Sequence, residues 1–181
     1  MKHPLKSRLL AALLVLVMII SMVPAPVFAA DTAVTWTKID PSQVTASDTI
    51  MVTMTNPSNV TYALYTVQSG SKGNAAKTVT VNADGTTITT DNTADYGWTV
   101  SPVEGGWTLS VDTGYLYTDD ANNGVRIGET AAVWALDGNY LSTQDPSGNT
   151  RWLGVYDNNN GDYSAVAEPN WRAYKNTTGN T

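Results

Sequence analysis

The sequence predicts an all-β protein, and three observations carry the prediction. Apolar and polar residues alternate at period two, the spacing of a half-buried strand. Threonine fills roughly one position in six after the N-terminal segment, a composition suited to pleated, half-exposed surfaces. Turn signals rich in Gly, Asn and Asp recur at short intervals. No stretch beyond the N-terminal segment shows a helical period. The pattern implies about ten to twelve short strands, as a β-trefoil-like or other small barrel, with a two-sheet β-sandwich as the alternative.

The first element is an export leader. Lys2, Lys6 and Arg8 make a basic start, Leu9 to Val23 is apolar except for Ser21, and Pro24 and Pro26 end the run. Val27-Phe28-Ala29 places small residues where a signal peptidase reads, so cleavage is expected after Ala29, with Ala30 as the alternative. The apolar run is short of the about 20 residues that a membrane span needs. With its basic start it resembles the leaders of Gram-positive bacteria. Removing 29 of the 181 residues leaves 152, one β domain over 30–181, large enough for a proper core.

Strands are expected where alternation is clearest. Ile50, Val52 and Met54 share one face, as do Val79 and Val81, then Trp107, Leu109 and Val111, then Val125 and Ile127. Turns are expected at Asp84-Gly85, Glu104-Gly105-Gly106, Asn122-Asn123-Gly124, Asp137-Gly138 and Pro146-Ser147-Gly148. Gln68 to Gly73 reads as a flexible loop by composition.

A loose repeat runs through the domain. One copy holds Trp98, Trp107-Thr108-Leu109, Tyr115-Leu116-Tyr117 and Val125-Arg126-Ile127. The next holds Trp134, Tyr140-Leu141 and Trp152-Leu153-Gly154-Val155-Tyr156. A stretched first copy would begin at Trp36 and pass through Tyr62-Ala63-Leu64. Three units of about four strands would suit a trefoil.

Composition narrows the chemistry. The only histidine, His3, and the only phenylalanine, Phe28, lie in the leader, and there is no cysteine. That removes Ser–His–Asp and Cys–His catalysis and most zinc chemistry. The glutamates are Glu104, Glu129 and Glu168, none of them in a recognisable carboxylate-pair motif, so no enzyme activity is expected. After the leader, seven basic residues face sixteen acidic ones, a net charge of −9, which argues against nucleic acid or an anionic membrane as a partner. The expected location is secreted or at the cell surface, without disulfides, cofactor or bound metal. The six tryptophans and nine tyrosines must supply the bulk of the core, since phenylalanine is missing.

Several segments together resemble a secreted β-rich accessory domain of gut Firmicutes. They are Trp36-Thr37-Lys38-Ile39, Ala46 to Val52, Tyr62-Ala63-Leu64, Trp98 followed by Trp107-Thr108-Leu109, Arg151 to Tyr156, and Asn170-Trp171-Arg172-Ala173-Tyr174. Such domains flank the catalytic modules of secreted nucleases, 5′-nucleotidases and other hydrolases. The resemblance implies an accessory role, carries no ligand with it, and leaves Asn158 to Pro169 as an insertion. Against that pattern, the chain ends at Thr181 about where one more strand is expected. The Gln-x-Trp signature of ricin-type lectins is absent.

Two loops carry the candidate site. Tyr117 leads into Asp119, Asp120, Asn122 and Asn123; Tyr156 leads into Asp157, Asn159 and Asp162. An aromatic face packs a sugar ring, and carboxylates and amides bond its hydroxyls, so a polysaccharide or cell-surface glycan is the expected ligand. The plain alternative is polar hairpin turns. Trp171 joins the set as an aromatic whose burial, like that of Trp152, the sequence leaves open, and Arg172 beside it reads either as its stacking partner or as a strand's outer face. Asp157, Asn159 and Glu168 also match three positions of a calcium loop, but Gly161 and Asp162 are swapped against that pattern.

Overall fold

The computed structural model describes residues 32–69, 73–119, 122–156 and 169–175. The chain divides into Met1–Thr32 and Ala33–Thr181; the architecture is that of the second unit, and the expected leader lies outside the described residues.

This unit is all-β. Fourteen strands are present among the described residues, more than the alternation alone foretold, because several are only two or three residues long. In chain order they are β1 (Val34–Thr37), β2 (Thr49–Ile50), β3 (Thr53–Thr55), β4 (Thr61–Ser69), β5 (Gly73–Val79), β6 (Thr87–Thr90) and β7 (Trp98–Val103). There follow β8 (Gly106–Val111), β9 (Gly114–Thr118), β10 (Val125–Gly128), β11 (Ala135–Asp137), β12 (Tyr140–Gln144), β13 (Thr150–Tyr156) and β14 (Asn170–Tyr174). A 3-10 turn, Pro41–Gln43, is capped by Asp40, whose carboxylate accepts from Ser42 N at 2.8 Å.

The strands pair antiparallel in sheets of two, five and seven: β1-β6, then β10-β9-β8-β7-β2, then β11-β12-β13-β14-β5-β4-β3. The last two copies of the repeat correspond to two consecutive four-strand meanders, β7 to β10 and β11 to β14. The first copy does not form a third. Trp36 lies instead on β1, in the separate two-stranded sheet with β6, and its indole donates to Thr90 Oγ1 at 2.9 Å. Three equivalent trefoil units are therefore not what these strands build.

The two larger sheets join at both ends. β2 pairs with β7, and the chain continues directly into β3, which pairs with β4; Leu64 N donating to Val52 O bridges the step. At the other end, Gly124 forms a bridge with Arg172, and Ala173 N donates to Asn123 O at 2.9 Å. The result is a barrel-like ring of hydrogen-bonded strands, from which β13, β12 and β11 continue outward. Trp107 and Trp134 exchange backbone hydrogen bonds of 2.9 and 2.8 Å and tie that extension back to β8.

The expected turns close these strands. Glu104-Gly105 is a two-residue hairpin loop between Val103 and its partner Gly106, with Gly105 at φ +85°, a conformation that favours glycine. β4 and β5 extend to Ser69 and Gly73, so the predicted flexible loop at Gln68–Gly73 shortens to the few residues between them.

The inward faces make one core. Trp98 and Trp134 are fully buried and Trp171 nearly so, around Leu64, Val100, Leu116, Val125, Leu153 and Ala173. Each indole N–H meets a backbone carbonyl: Trp98 with Leu64 O at 3.1 Å, Trp134 with Leu116 O at 2.9 Å, Trp171 with Ala63 O at 3.0 Å. Burying one such ring yields roughly 4–6 kcal/mol of gross transfer free energy. The carbonyl partner spares the indole a desolvation cost of about 1–3 kcal/mol.

Candidate functional site

The antiparallel registers decide which side chains share a face. On β14, Trp171 and Ala173 point into the core, so Asn170, Arg172 and Tyr174 face outward. Their partners on β13 are Tyr156, Gly154 and Trp152 in turn. On the other side of β14, Gly124 stands opposite Arg172. Arg126 lies two residues on and pairs with Tyr117 of β9. Period two then turns Tyr117, Asp119 and Arg126 outward on one side of that bridge and Arg172, Asn170, Tyr156, Tyr174 and Trp152 outward on the other, while β5 holds the edge of β14 opposite Asn170.

Contacts organise these residues. Arg126 meets Asp119 at 3.1 Å, a diagonal ion contact that is not aligned as a hydrogen bond. The Tyr117 ring lies against Gly128, where a Cβ would come within 3.0 Å of Cε1. The Arg172 guanidinium sits 4.0 Å from the Tyr156 ring centroid, and its Nε donates to Asn170 Oδ1 at 2.8 Å. The Trp152 indole donates to Asp137 Oδ2 at 2.8 Å.

The expected site residues divide accordingly. Tyr117, Asp119 and Tyr156 face outward. Asn122 borders the bridge, where its Oδ1 accepts from Gly124 N at 2.7 Å and shapes the turn. Asn123 serves the fold: its Oδ1 accepts from Arg151 Nη1 at 3.0 Å. Trp171 is a core residue, 2% exposed with its N–H bonded to Ala63 O, and Arg172 stacks on Tyr156 rather than on it. Asp120, Asp157, Asn159 and Asp162, with the calcium-like pattern through Glu168, lie outside the described residues.

The anchors of the two loops also stand apart. Asn123 lies beside Ala173, whereas Tyr156 lies beside Asn170, three residues away along β14, about 10 Å in an extended strand.

Beneath the Asn123 loop lies a buried ion pair. Arg151 and Asp145 have fully buried side chains, and Arg151 Nε donates to Asp145 Oδ2 at 2.8 Å. Asp145 Oδ1 also accepts from the backbone N–H of Ser147 and Asn149 at 3.1 and 2.9 Å. Burial raises the carboxyl pKa, but the Asn149 and Arg151 hydrogen bonds outweigh it and hold the group below its ordinary value. This pair anchors the β12–β13 hairpin and, through Asn123, the turn before β10.

A separate concavity of about 500 Å³ opens between β3 and the β11–β12 hairpin. Val52, Met54, Leu136, Leu141 and Tyr140 line it, and Trp171 contributes to its wall. Among the described residues, no group of three or more Asp or Glu is placed to hold a metal ion.

Sequence reasoning missed Arg126, Asn170 and Tyr174, and left the burial of Trp152 open; it is half-buried. Period two within β13 and within β14 groups Trp152 with Tyr156 and Asn170 with Tyr174. Nothing in the sequence pairs those strands with β10. Comparison with known proteins yields no match, whether to family models, curated sequences or solved structures.

Proposed function

We propose that this protein is a secreted or cell-surface, non-catalytic binding module for a polysaccharide or cell-surface glycan, acting in adhesion or targeting. The observation that supports it is the set of outward side chains on β9 and β10 and on β14 and β13, on either side of the Gly124–Arg172 bridge. They put Tyr117 among Asp119, Asn122 and Arg126, and Tyr156 beside Asn170, the aromatic-plus-polar combination that suits sugars. A sheet face is a rigid platform, so little conformational entropy is lost when a sugar chain docks.

The test is a glycan array and polysaccharide pull-down with the purified protein. Binding should appear, and Tyr117→Ala and Tyr156→Ala should each weaken it by about tenfold, the loss of one ring-stacking contact. Absence of binding to every glycan, with both variants silent, rejects this reading and favours a structural accessory role beside a secreted hydrolase.

A further inference from the structure

The run from Thr49 to Thr55 pairs along one edge only. β2 ends the five-stranded sheet and β3 ends the seven-stranded sheet, so the run is an edge strand in both. Its even-numbered residues and their neighbours carry the pairing. Asp48 O accepts from Val100 N and Val52 O from Leu64 N, each at 2.9 Å, and Asn56 N donates to Val60 O at 2.9 Å. The odd-numbered residues Thr49, Met51, Thr53 and Thr55 therefore turn their N–H and C=O groups to the opposite edge. Among the described residues, no backbone hydrogen bond reaches those groups.

Proteins guard such edges with charge, proline, a bulge or a covering segment, because open N–H and C=O groups template the pairing of another strand. From Thr49 to Thr55 there is no charged residue, no proline and no glycine. The same edge borders the concavity of about 500 Å³, a volume within the ~300–1,000 Å³ of ordinary ligand sites. Thr53 and Thr55 line it beside Val52 and Met54, and Leu136 and Leu141 line it from the β11–β12 hairpin. None of its lining residues is charged, and Leu136 is 48% exposed there.

These two features select one kind of occupant. An acyl chain would cover the apolar wall and leave the main-chain groups of Thr53 and Thr55 unmatched. An extended peptide meets both, since its backbone pairs with the edge while alternate side chains enter the concavity. A charged side chain inserted there would lose its hydration without a partner. The chain is acidic as a whole, which disfavours an acidic peptide and a second copy alike.

We propose that the Thr49–Thr55 edge and the adjoining concavity form a second binding site, which takes an extended peptide of a partner protein, apolar at alternate positions and free of acidic residues. The site is independent of the glycan-binding reading.

The experiment selects phage-displayed random dodecapeptides on the purified protein. Peptides with Val, Ile, Leu or aromatic residues at alternate positions should be enriched, and synthetic copies should bind by fluorescence anisotropy. Methylating one alternate set of peptide nitrogens should weaken binding about tenfold or more, the size of one or two lost hydrogen bonds, and methylating the other set should not. Thr53→Pro deletes an open N–H without touching the bonds to β4, and should weaken binding similarly. Leu136→Asp, at an exposed position, should abolish it with an unchanged thermal melt. No enriched peptide, equal tolerance of both methylation sets, or full binding to Leu136→Asp overturns the proposal. So does uptake of the neutral dye N-phenylnaphthylamine that the peptides fail to displace, which assigns the concavity to a small apolar ligand. A dimer in sedimentation that Thr53→Pro dissociates also overturns it, and assigns the edge to a second copy. The methylation arm needs no variant, so the result does not depend on how Thr53→Pro folds.

Discussion

Trp98, Trp134 and Trp171 solve one problem in the same way. Each fills the volume that phenylalanine would take elsewhere, and each must place a polar N–H in a dry interior. A backbone carbonyl receives it in every case. Trp134→Phe removes the donor and leaves Leu116 O without it, a cost of about 1–3 kcal/mol before the cavity is counted. Urea unfolding should show that loss, with a smaller one for Trp36→Phe at a half-buried indole. Asp84 shows the same logic at an exposed turn. The Thr87 hydroxyl and the backbone N–H groups of Thr86 and Thr87 bond its carboxylate and lower its pKa to about 2. The folded value lies below the unfolded one of about 3.9, so the contribution is complete above pH ~4 and disappears as pH falls toward 2. Acid titration of thermal stability should therefore be flatter over that window in Asp84→Asn.

Among the elements, hairpins were the most legible. The alternation at Trp107, Leu109 and Val111 became β8, and that at Val125 and Ile127 became β10, because local pattern and turn chemistry agree there. Ile50 to Met54 was harder to read. Its alternation holds, yet the segment splits into β2 and β3 and serves two sheets. Which partner each half meets depends on residues tens of positions away. The Trp107–Trp134 bridge is a second such junction. Gly106 makes it possible, since a Cβ there would lie 2.2 Å from Trp134 O. Gly106→Ala should force the two strands apart at a cost of about 1–3 kcal/mol, with near-ultraviolet circular dichroism of the tryptophans changing along with the melting point. A melt and spectrum like those of the unaltered protein would rule out that close approach.

At the scale of the whole molecule, the barrel-like ring comes from its junctions. Gly124 meeting Arg172 closes the ring, next to β5, which holds the same edge of β14 opposite Asn170 and Trp171. Arg151 supports that junction from below, through Asp145 on one side and Asn123 on the other. The candidate site was half legible for this reason. Tyr117 and Tyr156 stood out as aromatics entering Asp/Asn loops, and Arg172 was legible as a strand's outer face, but its meeting with Gly124, from another strand, had no local signal.

The sequence by itself determined the all-β class, the hairpin turns, the need for tryptophan in the core, the absence of cysteine and the absence of histidine after His3. These follow from side-chain type and period, which act over a few residues. Only the tertiary structure decided that Trp171 is buried, that the last two repeats are meanders while the first is not, and that Arg172 stands opposite Gly154 and Gly124 and stacks on Tyr156. Those outcomes depend on strand partners and register, and in a β-protein register is settled by contacts between residues far apart in the chain.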